Sequence, residues 1–208
     1  MVVRKFLYEK FYPTWKHRWA TPFKKRRFRY IFNTLLDWGG AFNGKKICEI
    51  GCCTGADFLQ FFKDVDGVEL TGIDIMPQNI QQSNVTFLQM DAEATPFQDK
   101  YFDLVVSFGV LEHIEPIEKL CKVIAEIDRI SKEYVIIVPN ISTFFELHTI
   151  QFLWQLRAGN RKRRYGNLNY FSDEAWLQFG GFSGAKVIRW SYLPGLIKNT
   201  VIVKRLSS

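Results

Sequence analysis

The stretch Ile47-Cys48-Glu49-Ile50-Gly51-Cys52-Cys53-Thr54-Gly55 puts an acid, two glycines four positions apart and three of the four cysteines at one strand-to-loop junction. It can be a glycine loop that holds a cofactor, a pair of redox or metal-binding thiols, or a tight turn between buried elements. A zinc site needs paired ligands at fixed spacing, such as C-x2-C with a second pair. Cys121, His17, His113 and His148 lie far from the junction in sequence, so no metal site is expected. Adjacent Cys52 and Cys53 do not easily bridge each other, and reduced thiols in a cytoplasmic protein are the expectation. Where a strand gives way to a helix N-terminus, backbone N–H groups favour anionic groups and glycine lets the main chain come close. A nicotinamide fingerprint would need glycines at 51, 53 and 56, but Cys53 and Ala56 occupy the last two places. A dinucleotide is therefore disfavoured.

The elements that must position this loop alternate along the chain. Residues 45–51, 68–75, 85–91, 102–109 and 134–140 are short β-rich apolar runs, the last stopped by Pro139. Between them, Phe58, Phe61 and Phe62 fall at helical spacing within 54–64, and Pro77 can open a short helix through Gln82. Ile117, Leu120, Ile124 and Ile127 mark a helix after Pro116. Continuous rather than alternating apolar strands are buried on both faces, which calls for a parallel sheet covered by helices. The expected fold is α/β, doubly wound. Residues 171–181 read as a helix with Ser172 as N-cap, a Phe171–Trp176 staple and a Gly180–Gly181 stop. Residues 185–192 and 199–206 are joined by so short a link that they must pair antiparallel.

Counting Glu49, the loop reads acid, then G-x-x-x-G, and resembles motif I of the class I S-adenosylmethionine-dependent methyltransferases, small-molecule and lipid type. Family members often read "VLDVGCGTG" where this chain reads "ICEIGCCTG". Further matches follow in order: "GIDI" with Asp74 at the end of the second strand, "FLQMDAEATPF" with Asp91 and Ala92, "FDLVVSFGVLEHI", and "YFSDEAWLQFGGF". The resemblance covers about residues 45–206 and implies a mostly parallel, Rossmann-like sheet of seven strands ending in an antiparallel pair. It implies S-adenosyl-L-methionine as cofactor, with Glu49, Gly51, Cys53, Gly55, Asp74, Ile75, Asp91, Ala92, Ser107 and Phe108 as its binding residues. In the family the acid at Asp74 binds the ribose hydroxyls, and Asp91 and Ala92 lie at the adenine edge. Cys53 departs from the family's middle glycine and narrows the place where the methionine part of the cofactor lies.

Methyl transfer from a sulfonium needs positioning and exclusion of water more than covalent help. A hydroxyl acceptor also needs a base, and His113 in "LEHI" is the candidate; the competing reading is a histidine that caps or packs this turn. Ser107-Phe108-Gly109 is not the Asp/Asn-Pro-Pro-Tyr/Phe of adenine and glutamine methylating relatives, which disfavours those acceptors.

Of the net charge of +7, residues 1–30 carry +9, so the basic character belongs to the N-terminal segment. Residues 1–40 are expected to form a basic, aromatic helical lid, with Thr21 and Pro22 opening a helix whose buried face is Phe28, Ile31, Phe32 and Leu35. Lys24–Arg27 then fall in its first turns, where the dipole disfavours cations. The resemblance implies that residues 41–208 form the methyltransferase domain, with 141–170 as an acceptor-side insertion holding Arg157 and Arg161–Arg164. Aromatics beside cations suit an anionic membrane surface or a phosphate-bearing or lipid-linked acceptor; nucleic acid is less favoured, since no recognised RNA-binding module is present. No apolar stretch reaches the roughly 18 residues of a membrane span, and no signal peptide is expected. The expected function is methylation of a small-molecule or lipid-linked acceptor, with oxygen favoured, by a cytoplasmic enzyme that can sit at the membrane periphery. The rivals are an RNA or protein methyltransferase on the same fold, and a non-catalytic membrane- or nucleic-acid-associated module that retains it.

Overall fold

The computed structural model describes residues 14–37, 41–52, 58–76, 84–146, 151–152, 169–192 and 196–205. Four parallel connections build the centre of a seven-stranded sheet: β1 (Lys46–Ile50), β2 (Glu69–Asp74), β3 (Val85–Gln89), β4 (Phe102–Phe108) and β5 (Ser131–Pro139). A two-residue ribbon, β6 (Phe145–Glu146) with β7 (Gln151–Phe152), stands apart from it. The antiparallel pair β8 (Lys186–Tyr192) and β9 (Ile197–Lys204) completes the sheet, β9 lying against β5. The order is β3-β2-β1-β4-β5-β9-β8. It reverses between β1 and β4, the place where open α/β sheets bind ligands beyond the carboxyl ends of their strands.

Both faces of the sheet are covered, as the continuous apolar runs require. On one face Cys48, Ile50, Val105, Ile136 and Ile202 meet helix α2 (Ile117–Ile130) and the short helix α3 (Asp173–Leu177). Leu120, Val123, Ile124, Ile127 and Ile130 line the buried stripe of α2 at helical spacing. On the other face Ile47, Leu104, Val106, Val135 and Val201 meet Phe28, Ile31 and Leu35 of helix α1 (Thr14–Asp37) and Phe58, Leu59 and Phe62.

Helix α1 begins earlier than the sequence suggests. It starts at Thr14, so Pro22 lies inside it and Thr21 is not its N-cap. An interior proline forfeits one hydrogen bond and crowds the carbonyl four residues back, at about 3 kcal/mol. Residues 15–21 hold no glycine or second proline, so no further breaker stops the helix there. Lys24–Arg27 consequently occupy middle turns, beyond the first turn to which the dipole penalty is confined. Phe28, Ile31 and Leu35 are buried as expected.

Two other elements are tighter than expected. Leu59–Phe62 is a 3-10 turn rather than part of an α-helix, and the short helix expected after Pro77 lies outside the described residues. In the late helix Ser172 Oγ accepts the Ala175 N–H (3.2 Å), and Phe171 stacks edge-on to Trp176 (5.0 Å). That helix ends at Leu177, and Gly180–Phe182 forms a 3-10 turn. A Cβ on Gly181 would lie 2.6 Å from the Ile124 carbonyl oxygen, so the close approach to α2 demands glycine.

Candidate functional site

The carboxyl ends of β1 to β5 share one edge, and the loop after β1 turns there. Gly51 has φ +75°, and its N–H and that of Cys52 both donate to the Ile73 carbonyl (2.7 and 3.3 Å). A Cβ on Gly51 would lie 2.2 Å from Val110 Cγ2, so dihedral and space both require glycine. Glu49 is 3% exposed, and its Oε2 accepts the Leu59 N–H (3.3 Å), tying the far side of the loop back to β1. Cys53 and Gly55 lie outside the described residues. The Cys48 and Cys52 thiols are both buried. Burial pushes the Cys48 thiol well up, with Cys52 and Glu49 adding to it. A thiol held in its neutral form is a poor nucleophile or metal ligand.

Asp74 ends β2 beside this loop, with Oδ1 accepting the Met76 N–H (2.9 Å) and its own carbonyl accepting from Met90 (3.1 Å). Ile75 follows it, 60% exposed. One strand further out, Asp91 Oδ1 accepts the Glu93 N–H (3.0 Å), Oδ2 pairs with Lys119 of α2, and Ala92 is buried. Ser107 and Phe108 end β4 on opposite faces, as successive strand residues must. The Ser107 hydroxyl is buried without a hydrogen-bond partner among the described residues. Phe108 stacks on Phe28 (5.1 Å) and meets Phe58 edge-on (5.0 Å), an aromatic floor that fastens α1 at this edge.

From Phe28 the helix descends towards the opposite edge, where the chain enters β1 at Lys46. Lys25, Arg26 and Arg29 are exposed on α1, and the Arg27 guanidinium lies 5.3 Å from the Phe28 ring centre. Segment 141–170 has both its ends at the carboxyl edge. Asn140 bridges to Phe171, and the Ile141 N–H donates to the Phe171 carbonyl (3.3 Å). Arg157 and Arg161–Arg164 lie outside the described residues.

His113 sits in a 3-10 turn after β4 (Leu111–His113), exposed at this same edge. Its Nε2 lies 4.0 Å from Oε1 of the fully buried Glu112. Sequence reasoning passed over Glu112, although a charged residue inside the apolar Leu111–Ile114 turn is a signal. It also passed over Lys119 and Asn169, whose partners lie 28 and 55–58 residues away, where no local pattern points.

Residues 48–138 match the family model described as "Methyltransferase domain". Ajmaline N-methyltransferase from Rauvolfia serpentina is 29% identical over 89 residues, which covers 38% of this chain and only 30% of that protein's length. Among solved structures, a chain of the Haloferax volcanii complex with the Trm112 methyltransferase activator superposes with TM-score 0.61 at 16% identity, over 92% of this chain and 96% of that one. A SAM-dependent methyltransferase from Methanosarcina mazei gives TM-score 0.57 at 16% identity, over 84% and 98%. Magnesium protoporphyrin IX methyltransferase from Synechocystis, solved with bound SAH, gives 0.61 at 13%, over 86% and 81%. At such identities the structures establish the fold alone, and the match to the methyltransferase domain over residues 48–138 points to S-adenosyl-L-methionine as the cofactor. The residues present fit it: exposed Ile75 offers an apolar surface beside the Asp74 carboxylate at the carboxyl edge of the sheet.

Proposed function

We propose that the domain is a class I S-adenosylmethionine-dependent methyltransferase and that it methylates a small-molecule or lipid-linked acceptor. The observation that supports this reading is the convergence of Gly51, Asp74, Ile75, Ala92 and the β4 turn on one sheet edge. Bound S-adenosylmethionine supplies a methyl group already activated on a sulfonium. Asp74 accepts the ribose hydroxyls, Ile75 and Ala92 flank the adenine, and Glu49 holds the shape of the loop from below. Gly51 would let the main chain approach the methionine part, the part to which the motif also assigns Gly55 and Cys53. Asp91, braced by Lys119, stands at the adenine edge, while Ser107 and Phe108 close the end of β4.

His113 is the base that takes the acceptor's proton, which favours an oxygen acceptor. A nitrogen acceptor is the second reading, favoured by the match to an N-methyltransferase. The first half of α1 and segment 141–170 form the acceptor side, and their cations suit an anionic or lipid-linked acceptor. Incubation of the protein with methyl-labelled cofactor and fractionated cell extract tests this reading. Label entering the lipid or small-molecule fraction, and failing to do so with His113→Gln, supports it. Label confined to RNA or protein contradicts it.

A further inference from the structure

Asn169 spends every N–H it has on one turn. Its backbone N–H donates to the Glu112 carbonyl (2.7 Å), and its Nδ2 donates to the carbonyls of Ile114 (2.6 Å) and Leu111 (3.3 Å). A carboxamide and its backbone offer three N–H donors in all, and here all three reach carbonyls of residues 111–114. The residue is itself anchored from the other side. Tyr170 is buried, and Phe171 is bonded to the end of β5 through Ile141 and bridged to Asn140.

The turn that Asn169 grips does two things at the sheet edge. It presents His113, and it holds Val110 in the space a Gly51 side chain would need, 2.2 Å from that Cβ position. The turn's internal bonds, His113 N–H to Val110 carbonyl (2.9 Å) and Ile114 N–H to Leu111 carbonyl (3.3 Å), shape it; the Gly109 N–H to Ile137 carbonyl bond (2.9 Å) and buried Leu111 hold its entry to the sheet, and Asn169 holds its far end. We propose that Asn169 is the positioning residue that locks the 110–114 turn against the loop after β1, so that the far end of segment 141–170 sets the geometry of the cofactor loop and of His113. This rests on the cofactor reading above. The link runs from the end of β5 through Phe171 and Asn169 to the turn, and from Val110 to Gly51.

The test uses the whole chain and S-adenosylhomocysteine as probe, titrated calorimetrically. Aspartate at 169 has the shape of asparagine but, ionised, only accepts, so Asn169→Asp turns two hydrogen bonds into carboxylate–carbonyl contacts. Asn169→Asp should weaken binding about tenfold, the equivalent of one to two lost hydrogen bonds. Asn169→Ala should weaken it in the same direction and serves if the aspartate variant does not fold. A merely structural role is separated by Val110→Ala. In that background the contact with Gly51 is already reduced, so the further loss of affinity from either Asn169 variant should shrink below about twofold, while its cost in thermal stability persists. Wild-type affinity in a folded Asn169→Asp, or an undiminished loss in the Val110→Ala background, overturns the inference and leaves the cofactor reading intact. Failure of the wild-type chain to bind the probe overturns both.

Discussion

At Gly51 the main chain turns at φ +75° with Val110 pressed into the place of a side chain. A left-handed dihedral in a residue with a Cβ costs of the order of 1–3 kcal/mol, and the overlap with Val110 adds to it. Gly51→Ala should therefore lower the midpoint of denaturant unfolding, and Val110→Ala should restore part of that loss by clearing the overlap while leaving the dihedral strain. No restoration in the double variant would show that the overlap carries none of the cost. Two positions on, Cys53→Gly should bind S-adenosylmethionine at least as tightly as the wild type, because it adds room in the loop and removes no contact the reading needs. Weaker binding by a folded variant, measured calorimetrically, would give the thiol a positive role. Glu49, Gly51 and Asp74 were legible in the sequence because an acid and glycines at a strand end form a local pattern. The ties of Asn169 to the β4 turn and of Lys119 to Asp91 were not, because they join residues from separate elements.

At the scale of elements, helix α2 holds the loop after β3 through Glu126. Its carboxylate accepts from Arg129 Nε and Nη2 (2.7 Å each) and from the Thr95 N–H and hydroxyl (2.7 and 2.6 Å). Burial pushes this carboxyl up, but the Arg129 and Thr95 bonds outweigh it and hold it below its ordinary value of 4.5. A carboxyl depressed by folding contributes stability that is complete above its unfolded value and fades as pH falls through the folded one. The difference in unfolding midpoint between the wild type and Glu126→Gln should thus be largest near neutral pH and shrink below about pH 4.5. A difference independent of pH would mean that the charge of Glu126 contributes nothing. Helix α1 carries a separate expectation. Replacing Lys25, Arg26 and Arg29 with glutamine should leave cofactor affinity nearly unchanged and weaken sedimentation with anionic vesicles. That weakening should fade with salt, since exposed charges are screened within about 10 Å at 0.1 M. Vesicle binding indifferent to charge and salt would remove the surface role. The buried face of α1 was readable from its spacing, but its start was not, because Thr-Pro reads equally as an opening and as an interior kink.

For the whole molecule, the alternation of apolar runs carried the architecture: five parallel strands, of which β1, β4 and β5 are buried on both faces and the edge strand β3 is not, then an antiparallel pair, all within a residue or two of their observed bounds apart from the start of β5. That strand begins at Ser131, directly after Ile130 of α2, with Ser131 Oγ bonded to the Ile127 carbonyl (2.6 Å); no turn residue marks the junction. The sheet brings the carboxyl ends of β1, β2 and β4 to one edge, and the central claim is that this edge holds S-adenosylmethionine. Calorimetric titration of the full chain with that compound, beside a folded Asp74→Ala, tests it most directly. Saturable one-to-one binding by the wild type, weakened at least tenfold in the variant by loss of the carboxylate's charge-assisted bonds to the ribose, is the predicted result. Equal affinity in the two proteins, or no binding by a folded wild type, would contradict it.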